Sequence, residues 1–99
     1  MLNINKKEEN GALAIALEGR LDTTSAPQLE AELKGALDGV SSLTLDLEGL
    51  EYISSAGLRV LLSTQKLMAK QGSMKLVHVG ETILEIFEVT GFSEILTIE

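Results

Sequence analysis

The most constraining feature of this sequence is an alternation of element types over residues 43–79. Residues 43–47 are typical of a β-strand, and residues 56–71 place apolar side chains at helical spacing up to Gly72. Residues 74–79 form a second strand-like stretch directly afterwards. Because parallel strands need a crossover of about this length, we predict a right-handed strand–helix–strand unit and a sheet that is at least partly parallel.

Two further strands are predicted before this unit. Residues 2–6 alternate in polarity, residues 12–17 alternate small and large apolar side chains, and the Asn10-Gly11 pair between them is typical of a hairpin turn. In the second of these strands, one face carries only large apolar side chains and is expected to belong to the core. Its members are Leu13, Ile15 and Leu17.

A helix is predicted over residues 25–38. Ser25 is placed to cap its N-terminus with Gln28 reaching back, and Gly39 is placed to end it in a left-handed conformation. A last short helix is predicted over residues 81–90, where isoleucine, leucine and phenylalanine recur before a glycine.

Size and composition favour one small cytoplasmic domain. Ninety-nine residues with 44% apolar content can bury one core, so we predict a single domain of the α/β class over residues 1–99. The sequence has no cysteine, and no apolar run approaches the roughly 20 residues of a membrane span. Eight basic and fifteen acidic side chains give a formal net charge of -7, which disfavours nucleic acid and anionic membranes as partners.

Catalytic and cofactor motifs are largely missing. His78 is the only histidine and falls inside a predicted strand, and there is no Gly-x-Ser-x-Gly elbow, Walker-type loop or dinucleotide fingerprint. Asp22, Asp46, Glu48 and Glu51 are candidate magnesium ligands, but isolated carboxylates at strand ends are usually solvated. We therefore expect no enzymatic activity, no cofactor and no metal site.

Residues 52–58 have the features of a functional site, because they join a predicted parallel strand to the long helix. Ligand and partner sites favour that position in a sheet. Ser54 and Ser55 lie where helix amides and the helix dipole stabilise an anion, including a phosphate on serine. Spacing alone favours simple N-capping as the role of a hydroxyl here, and close packing explains Gly57. The residues alone leave both interpretations open.

Residues 50–61, Leu-Glu-Tyr-Ile-Ser-Ser-Ala-Gly-Leu-Arg-Val-Leu, resemble the phosphorylation-loop signature of the STAS-domain anti-sigma factor antagonists. Gly19-Arg20-Leu21-Asp22 is similar to the family's segment before its first helix. Residues 43–47 and 90–92 fall where the family has its central strand and the end of its closing helix. The resemblance covers essentially the whole chain.

This resemblance implies a mixed sheet of four or five strands with three or four helices, and a binding switch that does no chemistry of its own. In such proteins the unmodified form binds an anti-sigma factor, often a serine-protein kinase, and so frees a sigma factor for transcription. The kinase phosphorylates a loop serine and breaks the complex, and a PP2C-type phosphatase restores it. The kinase and the phosphatase are thus the expected partners of a monomer or weak dimer.

By position, the phosphoacceptor carries over to Ser55. The usual loop is Asp-Ser-Ser-Gly, whereas Ser54 replaces the aspartate and Ala56 the second serine, which keeps Ser54 as the alternative acceptor. We expect this loop and the turn at residues 22–25 to form the partner-binding surface. Its expected members are Asp22, Thr23, Thr24, Ser25, Ser54, Ser55, Ala56, Gly57 and Arg59. A constitutive STAS scaffold, whose serines only cap the helix, is the alternative.

Overall fold

The computed structural model describes residues 2–99. In chain order the elements are β1 (Leu2–Glu9), β2 (Ala12–Leu21), α1 (Ala26–Ala36), β3 (Ser42–Ile53), α2 (Ser55–Gln71), β4 (Ser73–Val77), α3 (Glu81–Thr90) and a short 3-10 helix (Phe92–Glu94). The predicted crossover is present, because α2 connects the neighbouring parallel strands β3 and β4.

The four strands form one mixed sheet in the order β1-β2-β3-β4. β1 and β2 are antiparallel, whereas β2/β3 and β3/β4 are parallel, which confirms the predicted fold class. The predicted hairpin is also confirmed, since Asn10 (φ 51°) and Gly11 (φ 83°) form a two-residue turn between β1 and β2. Positive φ at both positions matches the twist of the strands, and Asn-Gly adopts it with little strain.

The core lies between the helices and one face of the sheet. Alternate residues of β2 are buried, as the alternation of large and small apolar side chains predicts, while Ala14 between them is exposed. The three helices contribute Leu29, Leu61 and Phe87 to the same cluster, each with no exposed surface. Full burial of such a side chain contributes about 1.5–3 kcal/mol. The buried residues of β2 are Leu13, Ile15 and Leu17, each at most 3% exposed.

Both outer edges of the sheet are blunted. The edge strand β1 carries the charged run at residues 6–9. Along β4, Leu76 forms a parallel bridge with Ile98, its N–H donates to the Thr97 carbonyl (2.8 Å), and its carbonyl accepts from the Glu99 N–H (2.9 Å). Charged side chains and covering segments are two ways in which proteins keep sheet edges from pairing with other chains.

α1 starts one residue later and ends two residues earlier than predicted, and its predicted cap is wrong. Ser25 has helical dihedral angles (φ -92°, ψ -17°), and its hydroxyl caps no helix amide. That hydroxyl donates to the Arg20 carbonyl instead (2.7 Å), while the Gln28 amide donates to the Leu2 carbonyl (3.4 Å). Both side chains thus bind backbone of the sheet, and these partners compete with the local capping arrangement.

The predicted placement of His78 inside a strand is also wrong. β4 ends at Val77, and His78 has a left-handed φ of 55°, which is incompatible with an extended strand. Its exposed imidazole lies beside Asp46 of β3, with 3.1 Å between Nδ1 and the carboxylate Oδ1.

The junction between α2 and β4 lies against the loop that follows α1. The side-chain amide of Gln71 donates to the carbonyls of Leu37 (2.7 Å) and Val40 (2.6 Å). At Gly72, a β-carbon would lie 1.8 Å from the Ser41 carbonyl oxygen, and no side-chain rotation can relieve a clash with backbone. This junction therefore requires a residue without a β-carbon.

We predict that Gly72→Ala lowers the free energy of unfolding by about 2 kcal/mol, because the backbone at Ser41 must move to accept the added methyl group. Gly35→Ala in α1 is the matched control, since Gly35 is exposed and a β-carbon there would meet nothing within 4 Å. It should not lower the free energy of unfolding, because alanine favours the helix more than glycine does. Urea unfolding followed by circular dichroism measures both values. Equal unfolding free energies for the two variants would contradict the close approach.

Candidate functional site

The site lies where β2 and β3 end at the same edge of the sheet. Leu21 is opposite Ile53 in the parallel register, and the Ser54 N–H donates to the Leu21 carbonyl (2.8 Å). Because the two strands run in the same direction, the segments that follow them leave the sheet side by side. The turn that begins at Asp22 therefore lies next to the start of α2.

Ser54 is the N-cap of α2. Its backbone is extended (φ -97°, ψ 174°), and its Oγ accepts a hydrogen bond from the Gly57 N–H (3.3 Å). Its carbonyl accepts the first intrahelical bond, from the Leu58 N–H (2.9 Å). The side chain is half-buried. Ser54 thus satisfies helix amides that would otherwise lack an acceptor.

Ser55 is the first residue of α2 and is exposed. Its hydroxyl forms no hydrogen bond with any other group of residues 2–99. It lies at the end of the helix where the amide groups and the dipole favour negative charge. A phosphoryl group could be attached to this hydroxyl without breaking a hydrogen bond within residues 2–99.

The turn at Asp22 is held by a local hydrogen-bond network. The Asp22 carboxylate accepts from the backbone N–H groups of Thr24 (3.1 Å) and Ser25 (3.0 Å). The bond from the Ser25 N–H is the main cause that lowers the pKa of the Asp22 carboxyl below its ordinary value of 3.8. Ser25 itself is only 6% exposed and its side chain holds the turn, and it lines a surface depression together with Asp22 and Thr24.

Three expected partner-binding residues, Thr23, Ala56 and Arg59, line one groove between the N-terminal ends of α1 and α2. Thr24 lies elsewhere, in a depression beside Leu2. Gly57 is buried, and a β-carbon there would lie 2.7 Å from Leu21 Cγ and 2.9 Å from Ile53 Cγ1, so it serves packing. The other residues that line the groove are Ala26, Pro27, Glu30, Val60 and Ser63.

Sequence reasoning missed a stacked pair beside the serines. The Arg20 guanidinium carbon lies 4.4 Å from the centre of the Tyr52 ring, and its Nε lies 3.8 Å from Asp22 Oδ2. Arg20 and Tyr52 are partners in the register of β2 and β3, and Tyr52 remains 37% exposed. The signal that could have found this pair is that both residues lie near the ends of two strands that run in parallel. The pair adds a cation and an aromatic ring to the edge of the site.

Within residues 2–99, three potential metal ligands converge at Asp46, Glu48 and His78, with ligand atoms within 4.8 Å of one another. A hydrogen bond from the Glu48 backbone N–H (3.0 Å) is the main cause of a lowered pKa of the Asp46 carboxyl, and His78 lowers it further. Asp22 and Glu51, the other two candidates from the sequence, are not part of this group. In the same range, no helix is long and apolar enough to span a membrane.

The fold and the junction define a small α/β domain with a mixed four-stranded sheet and a serine pair at a strand-to-helix boundary. The STAS domain family model matches residues 3–99. The anti-sigma-B factor antagonist of Bacillus subtilis is 31% identical over 98 residues, which cover 98% of this chain and 90% of that relative. BtrV of Bordetella bronchiseptica is 42% identical over 91 residues, which cover 90% and 78%. The chain belongs to the STAS domain family of anti-sigma factor antagonists.

Solved structures share the fold. An anti-sigma factor antagonist from Mycobacterium paratuberculosis has a TM-score of 0.89 at 22% identity, covering 99% of this chain and 85% of that one. The Bacillus cell fate determinant SpoIIAA, solved in its phosphorylated form, has a TM-score of 0.76 at 20% identity, covering 98% and 91%. These likenesses confirm the STAS-like architecture predicted from the sequence.

We predict that Asp22→Ala destabilises the protein in a pH-dependent way. Because the folded-state pKa of Asp22 is below 3.8, its stabilising effect is complete above that pH and is lost as the pH falls through the lower, folded value. The urea midpoint of the variant should therefore fall below that of the wild type at pH 7, and the two should converge in acid. Asp38→Ala removes an exposed carboxylate as a control. A difference in urea midpoint between Asp22→Ala and the wild type that does not change with pH would contradict this role.

Proposed function

We propose that this chain is an anti-sigma factor antagonist whose binding is switched by phosphorylation of Ser55. The unmodified form binds an anti-sigma factor through the groove and the serine junction, and so frees a sigma factor for transcription. Residues 1–99 act as one domain, in the cytoplasm, as a monomer or weak dimer. The names of its relatives support the partner, and the position of Ser55 supports the switch.

The observation that carries the choice of acceptor is the difference between two adjacent hydroxyls. Ser54 is half-buried and accepts from the Gly57 N–H, whereas Ser55 is exposed and has no bond to residues 2–99. A kinase needs a hydroxyl that it can reach, so Ser55 is the better acceptor. Serine and aspartate are both preferred N-caps, so Ser54 can fill the structural place of the family's usual aspartate while removing its charge.

The scaffold can accept the modification. A phosphate on Ser55 adds a charge of about -1.5 to -2 at the N-terminus of α2, where the helix dipole stabilises it by about 0.3–1 kcal/mol. First-turn amides of a helix lack intrahelical acceptors and can bind phosphate oxygens. The change is therefore expected to leave α2 folded and to act on the docked partner.

Release of the partner follows from electrostatics. Burying a dianion against an apolar or acidic partner surface costs several kcal/mol in desolvation and repulsion. A loss of about 4 kcal/mol weakens binding roughly a thousandfold. One covalent event can thus separate the complex without refolding either protein.

The partners carry out the phosphorylation and the dephosphorylation of this chain. The anti-sigma factor acts as the serine-protein kinase, and a PP2C-type phosphatase removes the phosphate. The chain itself has no enzymatic activity and takes no cofactor or metal. Neither nucleic acid nor membrane is a partner, in keeping with the net charge of -7.

We predict that an anti-sigma factor kinase from the same organism, with ATP, adds the mass of one phosphoryl group to the wild type and to Ser54→Ala, but not to Ser55→Ala. Intact-mass spectrometry measures the change. Ser54→Ala is the matched control, because it removes the neighbouring hydroxyl and leaves the exposed one. A full mass increase in Ser55→Ala would move the acceptor elsewhere, and no increase in any form would favour a constitutive scaffold.

We predict that Ser55→Asp weakens binding to the anti-sigma factor by at least about tenfold, since one unit of charge then stands at the centre of the interface. Thr82→Asp places the same charge in the exposed first turn of α3 and should leave the affinity unchanged. Isothermal titration calorimetry compares the two variants. Equal affinities would contradict the electrostatic mechanism.

A further inference from the structure

The charge of this protein is unevenly distributed, because α2 is basic whereas the rest of the chain is acidic. Its 17 residues include three basic side chains and no acidic one. The rest of the chain has five basic and all fifteen acidic side chains, a formal charge of -10. An otherwise acidic protein thus contains one helix of charge +3.

The three basic side chains lie on one exposed face. Arg59, Lys66 and Lys70 follow Ser55 at intervals of four, eleven and fifteen residues, which fall within about 60° on a helix of 3.6 residues per turn. All three are exposed, and the opposite face of α2 packs into the core through Leu61 and other residues. We call the surface formed by Arg59, Lys66 and Lys70 the basic ridge.

The basic ridge has no ionic partner within residues 2–99. Other basic side chains do pair: Lys6 with Glu32, Arg20 with Asp22, and Lys75 with Glu99. None of the three ridge residues forms a salt bridge in that range. The three side chains are therefore free of direct ion pairs, although Glu30 lines the same groove as Arg59.

A merely solvated helix face usually alternates the sign of its charges, because opposite charges four residues apart stabilise the helix. Lys66 and Lys70 are instead like charges at that spacing, which is unfavourable by about 0.2–0.5 kcal/mol. Lys70 lies in the last turn of α2, where the helix dipole favours a cation, but Arg59 and Lys66 gain nothing from the dipole. Helix stability therefore does not explain three unpaired cations on one face, which suggests a use in binding.

We propose that the basic ridge docks an acidic surface of the anti-sigma factor, an inference that rests on the proposed function. The ridge begins one turn after Ser55 on the same face of α2, so the phosphoacceptor and the ridge belong to one surface. Side chains four residues apart lie about 5–6 Å apart at their β-carbons, so a phosphate on Ser55 would also pair with Arg59. Phosphorylation would thereby reduce the charge that attracts the partner.

The partner's chemistry follows from charge complementarity. Nucleic acid and anionic membranes present extended negative charge, and the -10 of the remaining chain repels both. A folded protein can confine its negative charge to a local patch that faces the basic ridge, so it meets fewer of those carboxylates than an extended polyanion does. The alternative occupant is a second copy of this chain, which could present Glu81, Glu85 and Glu88 of α3 to the basic ridge. The test distinguishes this case from binding of the anti-sigma factor.

The test titrates an anti-sigma factor from the same organism against wild type, the double variant Lys66→Glu/Lys70→Glu and the control Lys7→Glu. Lys7 is exposed in β1, and it forms no salt bridge within residues 2–99. The ridge variant should bind at least about tenfold more weakly at 50 mM salt, and the difference should shrink towards 500 mM because salt screens it. Lys7→Glu should stay within about twofold of wild type.

The outcomes separate the two proposals. If the wild type binds and the ridge variant binds equally well, the ridge proposal is overturned while the proposed function stands. The same holds if Lys7→Glu weakens binding as much as the ridge variant does. If the wild type itself does not bind, the proposed function fails and the ridge proposal fails with it. Self-association of the wild type at low salt that the ridge variant loses would assign the ridge to a second copy and overturn the proposed partner. Matching circular dichroism spectra and urea midpoints establish that the variants are folded.

Discussion

The hydrogen bond from the Ser54 N–H to the Leu21 carbonyl (2.8 Å) is the contact on which the site depends. It extends the parallel pairing of β2 and β3 by one step beyond the pair of Leu21 with Ile53. Parallel pairing makes the Asp22 turn and the start of α2 neighbours at one edge of the sheet. A slip of one residue in this register would turn Ile53 out of the core and move both serines with it.

The two serines of the junction differ because they stand on either side of the helix start. Ser54 uses its hydroxyl to hold the Gly57 N–H, while Ser55 keeps its hydroxyl in solvent. The basic ridge follows Ser55 on the same face. The structural cap Ser54, the proposed phosphoacceptor Ser55 and the basic ridge therefore follow one another along α2 and its cap. The burial of α2 against the sheet fixes their positions.

Periodicity and glycine boundaries predict most of the fold, because an amphipathic helix must pack on one face. The pattern predicts α3 at residues 81–90, where the structure has it, and α2 within one residue of its start. It predicts β3 only to residue 47, since strict alternation is lost where two register shifts against β2 occur. The serine junction is predictable as a strand-to-helix boundary. The stacking of Arg20 on Tyr52 depends on strand register, a tertiary property that local sequence does not contain.

The blunted edges of the sheet bear on how the protein behaves when it is abundant. The segment with Ile98 occupies the outer side of β4, and charged side chains line β1, so residues 2–99 offer little bare strand for another molecule to extend. We therefore expect strand addition between molecules to be disfavoured, even in concentrated solution. Under the proposed function, uncomplexed molecules can then accumulate without pairing through their sheet edges, and the ratio of the chain to its partner decides how much partner is captured.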